Sequence, residues 1–269
     1  MHLKNIAFFV IALQLTGCAL FKEPRDETKN WTPQQIQTAA KTALTEGDYE
    51  TAIKYYEILE ARYPLGTFAQ QAQLDMIYAY YKFEEAESAI AASDRFIKLY
   101  PRHPKVDYAY YMRGLAHFNE NFGLIERYLP LNLSERDQAA TRRSFQNFAE
   151  LLKLFPESIY ADDAKQRMIY LRNQLAQYEL NVADFYMRRS AYLAAANRAQ
   201  YVVQHFNRTP AAPDALIILA KAYKKMGYED LSENTLKVLK LNHSDYTEVA
   251  TDIREIPPLT AELAPLKLR

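Results

Sequence analysis

The chain has 269 residues, in which 33 Lys and Arg balance 33 Asp and Glu, and 49% of the residues are apolar. This neutral balance excludes the large positive surface that nucleic-acid binding requires, so no nucleic-acid partner is expected. The 6 glycines are all isolated, which excludes glycine-rich phosphate loops, and the single cysteine excludes an intramolecular disulfide.

Residues 1–17 have the pattern of a secretory signal peptide that ends at a cysteine. The apolar run from Ile6 to Leu15 is too short to span a bilayer. It leads into Leu15-Thr16-Gly17-Cys18, which is similar to the lipobox of bacterial lipoproteins. That resemblance implies a diacylglycerol group and an N-acyl chain on Cys18, and several acyl chains hold a protein stably to a membrane. The alternative is a plain signal peptide with an incidental cysteine.

Residues 18–31 show no periodic pattern and are predicted to form the lipidated cysteine and a tether. Such a coil typically spans ~20 Å, so the folded body would stand just off the membrane. Thr32-Pro33-Gln34-Gln35 then predicts a helix start, because threonine caps, proline fits the first helical position and Gln35 reaches back to the cap.

The body of the chain carries a degenerate repeat marked by an aromatic residue followed by proline. Small residues recur 12 positions before and 8 positions after the second residue of each mark, and we expect helices to approach closely at these positions. The marks are Tyr63-Pro64, Tyr100-Pro101, Phe155-Pro156 and the degenerate Phe206-Asn207, and the small residues are Ala52, Ala89, Ser144 and Ala195 before them and Ala72, Ala109, Ala164 and Ala215 after them.

This spacing predicts an all-α fold, a right-handed tetratricopeptide-like superhelix of about five helix pairs over residues 33–242. We assign N-terminal repeats to 32–115, C-terminal repeats with an insertion at 119–133 to 116–242, and an extended or disordered tail to 243–269. A 4-3 spacing predicts one buried face on a helix of about 25 residues, formed by Ala164, Met168, Leu171, Leu175, Tyr178, Val182 and Phe185. The following turn is placed near Arg188, with Ser190 as the cap of the next helix.

No constellation of catalytic residues is present in the sequence. The five histidines never take the spacing of the H-E-x-x-H zinc motif, and no G-x-S-x-G nucleophile motif occurs. The protein is therefore predicted to be no enzyme, with no catalytic residues, no metal site and no cofactor other than the lipid on Cys18. A cell-wall lytic enzyme would need a compact catalytic domain, for which too few residues remain after the last helix.

The 21 tyrosines include two dense groups, at 78–81 and 108–111. Residues two apart on a helix point to different faces, so at least one tyrosine in each group should face away from the core. A polypeptide-binding groove is one interpretation, and tyrosines packed between helices with a solvated charged face are the other. The candidate groove residues are Tyr78, Tyr80, Tyr81, Tyr110, Tyr111, Arg95 and Arg113.

The block from Ala69 to Lys82, with Arg62-Tyr63-Pro64 before it, resembles the BamD family of outer-membrane assembly lipoproteins. Ser134-Glu135-Arg136-Asp137 and Ala196-Asn197-Arg198 continue the likeness, which reaches from the lipobox to about residue 242. The resemblance implies a lipid-anchored subunit of the β-barrel assembly (BAM) complex on the periplasmic face of the outer membrane. The residue after the lipobox cysteine is Ala19 rather than aspartate, and by resemblance to the usual lipoprotein sorting rule this also implies the outer membrane.

The resemblance also implies the partners. They are the membrane-proximal POTRA domain of BamA, other BAM lipoproteins, and unfolded outer-membrane β-barrel proteins. Carried over by position, Asn197 and Arg198 are candidates for the BamA-facing surface, with Arg189 nearby. A different periplasmic tetratricopeptide lipoprotein, a secretin pilotin or a cell-wall synthesis adaptor, would share the anchor and the fold and remains the alternative.

Overall fold

The computed structural model describes residues 27–120, 138–246 and 253. The predicted signal peptide, Cys18, nearly all of the insertion at 119–133 and most of the tail lie outside these residues. The described parts contain ten α-helices and no strand, which confirms the all-α prediction. The helices are α1 (Pro33–Glu46), α2 (Tyr49–Arg62), α3 (Thr67–Lys82), α4 (Ala86–Leu99), α5 (Val106–Asn119), α6 (Ala139–Leu154), α7 (Ala161–Arg188), α8 (Tyr192–His205), α9 (Ala211–Lys225) and α10 (Glu229–Asn242).

Consecutive helices form five pairs, as the repeat predicts. All eight small residues at the repeat positions have no exposed surface. An alanine or serine at such a site lets two helix backbones approach closely, and any larger side chain would force them apart. The small residues that repeat in the sequence therefore mark the positions at which neighbouring helices pack together.

The predicted helix boundaries have the expected chemistry. At the start of α1 the Thr32 hydroxyl accepts a hydrogen bond from the Gln35 amide at 3.3 Å, and the Gln35 side chain accepts one from the Thr32 amide at 2.8 Å. This is a complete capping box. Helices α2, α4, α6 and α8 each end on the residue before the aromatic position of the repeat.

The turn within a helix pair requires one residue with a left-handed backbone. Gly47 (φ 83) and Gly227 (φ 78) supply it in the first and last pairs, while Glu84 (φ 66) and Ser190 (φ 58) supply it in two others. The prediction that Ser190 caps α8 is wrong. The cap position is Ala191, with no side-chain hydrogen bond, because Ser190 is used to turn the backbone.

Helix α7 has 28 residues, close to the predicted 25. Its buried side is set by Ala164, Leu171 and Leu175 as predicted, but towards the carboxyl end it moves to Glu179 and Ala183. Phe185, predicted to lie on the buried face, is 43% exposed. The ideal helix advances 3.6 residues per turn, so a long 4-3 pattern drifts away from the core.

Two compact units divide the chain between Ala72 and Gln73. In the first unit α1 packs on α2 around Ile36, Tyr56 and Leu59. The end of the predicted tether is also fixed there, because the Arg62 guanidinium donates to the Thr28 carbonyl at 2.5 Å and to its hydroxyl at 2.9 Å. Of the predicted tether at 18–31, the described residue Thr28 is thus held against α2.

The second unit contains α4 to α10 and most of α3. Its clusters of buried apolar side chains follow one another along the helix order, from Phe96 and Phe148 through Val202 to Leu236. The predicted boundary between two sets of repeats at 115/116 falls inside α5, which is continuous there.

The predicted extended tail is ordered at two points. Ser244–Tyr246 form a 3₁₀ turn, and Ile253 is fully buried against Leu216 and Leu236 of the last helix pair. A terminal pair has no neighbour on one side, so its apolar surface must be covered by other residues of the chain. Among residues 27–120 and 138–246, no helix is long and apolar enough to span a membrane.

Candidate binding surfaces

The first candidate surface is an aromatic surface formed by Tyr78 of α3, Tyr108 and Tyr111 of α5, and Tyr160, which precedes α7. The rings of Tyr111 and Tyr160 stack at 4.6 Å with 13° between their planes, and Tyr108 lies 5.8 Å from Tyr160. The pKa of Tyr108 is raised, mainly because its hydroxyl is buried and secondly because Tyr160, Asp75 and Tyr78 lie nearby. Helices α3 and α5 and the residue before α7 therefore contribute aromatic rings to one area.

Charged groups on α7 extend the aromatic surface. The Tyr111 hydroxyl donates to the Asp163 carboxylate at 2.7 Å, and Arg167 Nε donates to the same oxygen at 2.6 Å. Burial, and next the hydrogen bond to Asp163, raise the pKa of Tyr111 to about 12. Burial opposes ionisation of Asp163, but the hydrogen bonds from Arg167 and Tyr111 outweigh it and lower its pKa.

The Arg167 guanidinium also lies 5.0 Å above the ring of Phe118, whose centroid is 5.8 Å from that of Tyr170. Tyr78 and Tyr170 are each 38% exposed, so both ends of the area reach solvent. Exposed rings beside a guanidinium can bind aromatic and apolar side chains of another polypeptide.

The predicted groove residues are only partly brought together by the fold. Tyr78 and Tyr111 belong to the aromatic surface, but Tyr110 lies against Phe155, 5.4 Å away, and Arg113. Tyr81, Tyr110 and Tyr111 pack against the buried core, so the expectation of an outward tyrosine holds at Tyr78 but not in the second group. Tyr80 is half-buried and Arg95 is exposed.

Arg113 is occupied by an intramolecular ion-pair network. Its two terminal nitrogens lie 2.6 Å from Asp94 of α4 and 2.6 Å from Glu150 of α6, and its side chain is only 14% exposed. A bidentate clamp of this kind holds three helices together. Arg113 therefore has a structural partner on each side, and neither could be predicted from the sequence because Asp94 and Glu150 lie 19 and 37 positions away.

The second candidate surface centres on a buried carboxylate, Glu179 of α7. Arg198 of α8 donates to one oxygen at 2.8 Å and Arg142 of α6 to the other at 3.3 Å. The Glu179 side chain is 4% exposed, whereas those of Arg198 and Arg142 are 47% and 54% exposed. One buried negative charge thus holds two guanidiniums at the surface, and Glu179 and the arginine pair together carry a net charge of +1.

The other candidates for partner binding are Asn197 and Arg189. Asn197 is exposed on α8, next to Arg198. Arg189, at the end of α7, is exposed and lies 5.0 Å above the ring of Phe185. Sequence patterns did not single out Glu179, Arg142 or Asp163, because their contacts with Arg198, Glu179 and Tyr111 join residues 19 to 52 positions apart.

In the described stretches, no group of three or more metal-ligating side chains comes together. Five consecutive helix pairs are typical of tetratricopeptide-type proteins. The fold and the surfaces thus define the class of the protein.

Comparison with known proteins gives the family. Residues 29–239 match the family described as "YfiO: Outer membrane lipoprotein". The chain is 42% identical to outer membrane protein assembly factor BamD of Neisseria meningitidis serogroup B, over 89% of this chain and 91% of that protein. It is 39% identical to the BamD of Vibrio cholerae, over 87% and 96%, and 31% identical to that of Haemophilus influenzae, over 89% and 90%.

The chain therefore belongs to the YfiO family of outer membrane lipoproteins, which includes the BamD assembly factors. Membership confirms the resemblance read from residues 62–82 and 196–198. It also confirms the prediction of an assembly factor that is not an enzyme.

Proposed function

We propose that this protein is a lipid-anchored, non-catalytic subunit of the BAM complex that binds BamA and unfolded β-barrel proteins and promotes their insertion into the outer membrane. The observation that carries the proposal is the similarity to BamD assembly factors over 89% of the chain. The same similarity favours an assembly factor over a secretin pilotin or a cell-wall synthesis adaptor.

Contact with BamA is assigned to the arginine pair, Arg142 and Arg198 with Glu179. Because Glu179 satisfies only part of each guanidinium, both arginines keep donors that face solvent. A carboxylate of the POTRA domain would complete the ionic network and neutralise the excess positive charge. Asn197, which precedes Arg198 on α8, and Arg189, which directly follows α7, are assigned to the same contact.

Substituting Arg198→Glu should lower the recovery of BamA with this protein at least tenfold, because it places a second carboxylate beside buried Glu179 and reverses the charge offered to the partner. The measurement is co-purification from detergent-solubilised membranes. Arg143→Glu is the matched control, since Arg143 is 52% exposed on α6 and paired with Glu120 outside this network. Equal loss of BamA in both variants, or in neither, would contradict the assignment.

Unfolded barrel strands are assigned to the aromatic surface. Such strands carry aromatic side chains and unpaired backbone groups, which fit exposed rings next to Arg167 and Asp163. The remaining groove candidates Tyr80, Tyr81 and Arg95 lie on α3 and α4.

The substitution Tyr78→Ala should weaken binding of barrel-derived carboxy-terminal peptides by about tenfold, since truncating an exposed aromatic anchor removes ~1.4 kcal/mol or more. Fluorescence anisotropy with the labelled peptide measures the affinity. Tyr228→Ala is the control, because Tyr228 is also exposed but lies at the turn before α10. Unchanged affinity in Tyr78→Ala, with helicity preserved, would rule out the aromatic surface as the peptide site.

Membrane attachment is assigned to Cys18. The variant Cys18→Ala should lose the acyl chains and appear in the periplasmic fraction, because no other anchor is proposed. Cell fractionation followed by a high-salt wash measures the distribution. Retention of the variant in the outer-membrane fraction after that wash would show that lipid on Cys18 is not what holds the protein there.

A further inference from the structure

A cleft between α7 and α9 lies outside both candidate surfaces. Its cavity has a volume of about 300 Å³, at the small end of the range for binding pockets, so it has room for a few side chains rather than for a large ligand. Each helix contributes three lining residues, and these are Leu180, Asn181, Asp184, Asp214, Ile217 and Ile218.

The apolar wall of the cleft is held in place by the protein core. Ile218 packs against the buried cluster shared by α7, α8 and α9, whereas Ile217 packs against the cluster of α9 and α10. Leu180 belongs to the first of these clusters and is 6% exposed. Both isoleucines are half-buried, so each still offers apolar surface to an occupant. The wall is therefore preformed, and covering it with an aliphatic side chain is favourable.

Each helix also contributes a carboxylate to the cleft. Asp184 of α7 is ion-paired with Arg188 on its own helix, and its side chain is 49% exposed. Asp214 of α9 is exposed, and within residues 27–120 and 138–246 no cation is paired with it. Two carboxylates and one guanidinium give the cleft a net charge of −1, which favours a cationic occupant.

The two carboxylates lie at opposite ends of the apolar wall. Short connections join α7 to α8 and α8 to α9, so α7 and α9 run in the same direction. Asp184 follows Leu180 by one turn of α7, whereas Asp214 precedes Ile218 by one turn of α9. A rise of 1.5 Å per residue places each carboxylate about 6 Å along the axis from the apolar residue of its own helix.

This order of carboxylate, apolar wall and carboxylate matches an extended polypeptide that runs along the cleft. In an extended chain every second side chain points to the same side, at intervals of about 7 Å. A cation, an aliphatic residue and a second cation at alternate positions would therefore face one carboxylate, the wall and the other carboxylate. The long stems of Lys and Arg accommodate small differences in spacing.

We propose that the α7–α9 cleft binds an extended segment of another polypeptide in which an aliphatic residue lies between two cations at alternate positions. The aliphatic side chain packs on Ile217 and Ile218, and the cations bind Asp184 and Asp214. The proposal goes beyond the BamA and barrel assignments. Neither of those surfaces includes a residue of the cleft, so its failure would leave both assignments unaffected.

The probe is a fluorescein-labelled peptide that contains the sequence Lys-Ser-Leu-Ser-Lys, and its affinity for the full chain in detergent is measured by fluorescence anisotropy. A peptide of the same composition in the order Ser-Lys-Leu-Lys-Ser should bind about threefold more weakly or worse, because its cations point away from the cleft when the leucine enters it. Replacing the leucine of the probe by serine should weaken binding about tenfold, since the apolar wall is then left uncovered.

Variants of the protein test the carboxylates. Asp184→Asn combined with Asp214→Asn should weaken binding of the probe about tenfold, because both ends of the cleft lose their charge. Asp162→Asn combined with Asp230→Asn is the matched control. Asp162 likewise pairs with a cation on its own helix, Asp230 likewise lies in the first turn of its helix, and both are outside the cleft. Circular dichroism checks that both pairs of variants keep their helicity.

The outcomes separate this occupant from others. Absence of binding, equal affinity for the two residue orders, or equal effects of the two pairs of aspartate substitutions would overturn the proposal. Spermidine is added as a competitor to test for a small polycation. Aspartate-dependent binding that spermidine abolishes, and that does not change when the leucine of the probe is replaced, would overturn the proposal in favour of such a ligand.

Discussion

Replacing Arg142 and Arg198 together by alanine should lower the free energy of unfolding by about 3–5 kcal/mol, because Glu179 would remain buried without a counter-charge. The Glu179 side chain is 4% exposed and is contacted by one arginine at each oxygen. Each single substitution should cost much less, since the remaining arginine still neutralises the carboxylate. The two effects are therefore expected to be strongly non-additive.

Urea unfolding followed by circular dichroism measures these free energies in the two single variants and the double variant. Adding Glu179→Gln to the double variant is the informative control, because an uncharged amide of the same shape removes the buried charge and should restore most of the lost stability. Strict additivity of the single substitutions, or no recovery on adding Glu179→Gln, would contradict a role for the arginines as counter-charges of Glu179.

The substitution Gly114→Ala should lower the free energy of unfolding by about 1–3 kcal/mol or more, because there is no room for a methyl group at this point of α5. A Cβ atom at position 114 would lie 2.6 Å from Phe148 Cε1 and 2.8 Å from Phe148 Cδ1. Phe148 is fully buried, so its ring has no free space to enter. The Ser144 hydroxyl donates to the Gly114 carbonyl at 2.9 Å, which shows how closely α6 approaches α5 here.

A double-mutant cycle with Phe148→Leu separates this clash from a loss of backbone freedom. Phe148→Leu alone leaves a cavity and destabilises, but it removes the ring atoms that the new methyl group would meet. The pair Gly114→Ala and Phe148→Leu should therefore be more stable than the sum of the single effects allows. Additive effects would show that the ring of Phe148 is not what excludes alanine at position 114.

The roles of Gly114 and Glu179 could not be predicted from the sequence, for different reasons. Gly114 could be noted as one of few glycines, but its close neighbour Phe148 follows the insertion and was not predictable. Glu179 falls on the buried side of α7, where an acidic residue would be assigned to solvent from its type alone. Only the placement of Arg142 and Arg198 on the flanking helices explains a buried carboxylate.

The sequence-based grouping of candidate groove residues was only partly correct, because it relied on closeness in the chain. Tyr110, Tyr111 and Arg113 were grouped because they are neighbours in the chain, yet successive helical positions point about 100° apart. Tyr111 accordingly faces Asp163 of α7, whereas Arg113 faces Asp94 and Glu150. The cation that does accompany the aromatic surface, Arg167, comes from a helix more than 50 residues further along the chain.

Local and periodic features were determined by the amino-acid sequence alone. These features are the helix pairs, the capping box at Thr32, the helix ends before aromatic residues and the eight small packing positions. Each depends on neighbours within one or two helical turns or on a repeated spacing, so each can be predicted from residues close in the chain. The partners of Glu179, Arg113 and Tyr111, and the burial of Ile253, were decided by the tertiary structure. Burial and ion pairing depend on which distant helices come together, and a linear pattern does not contain those distances.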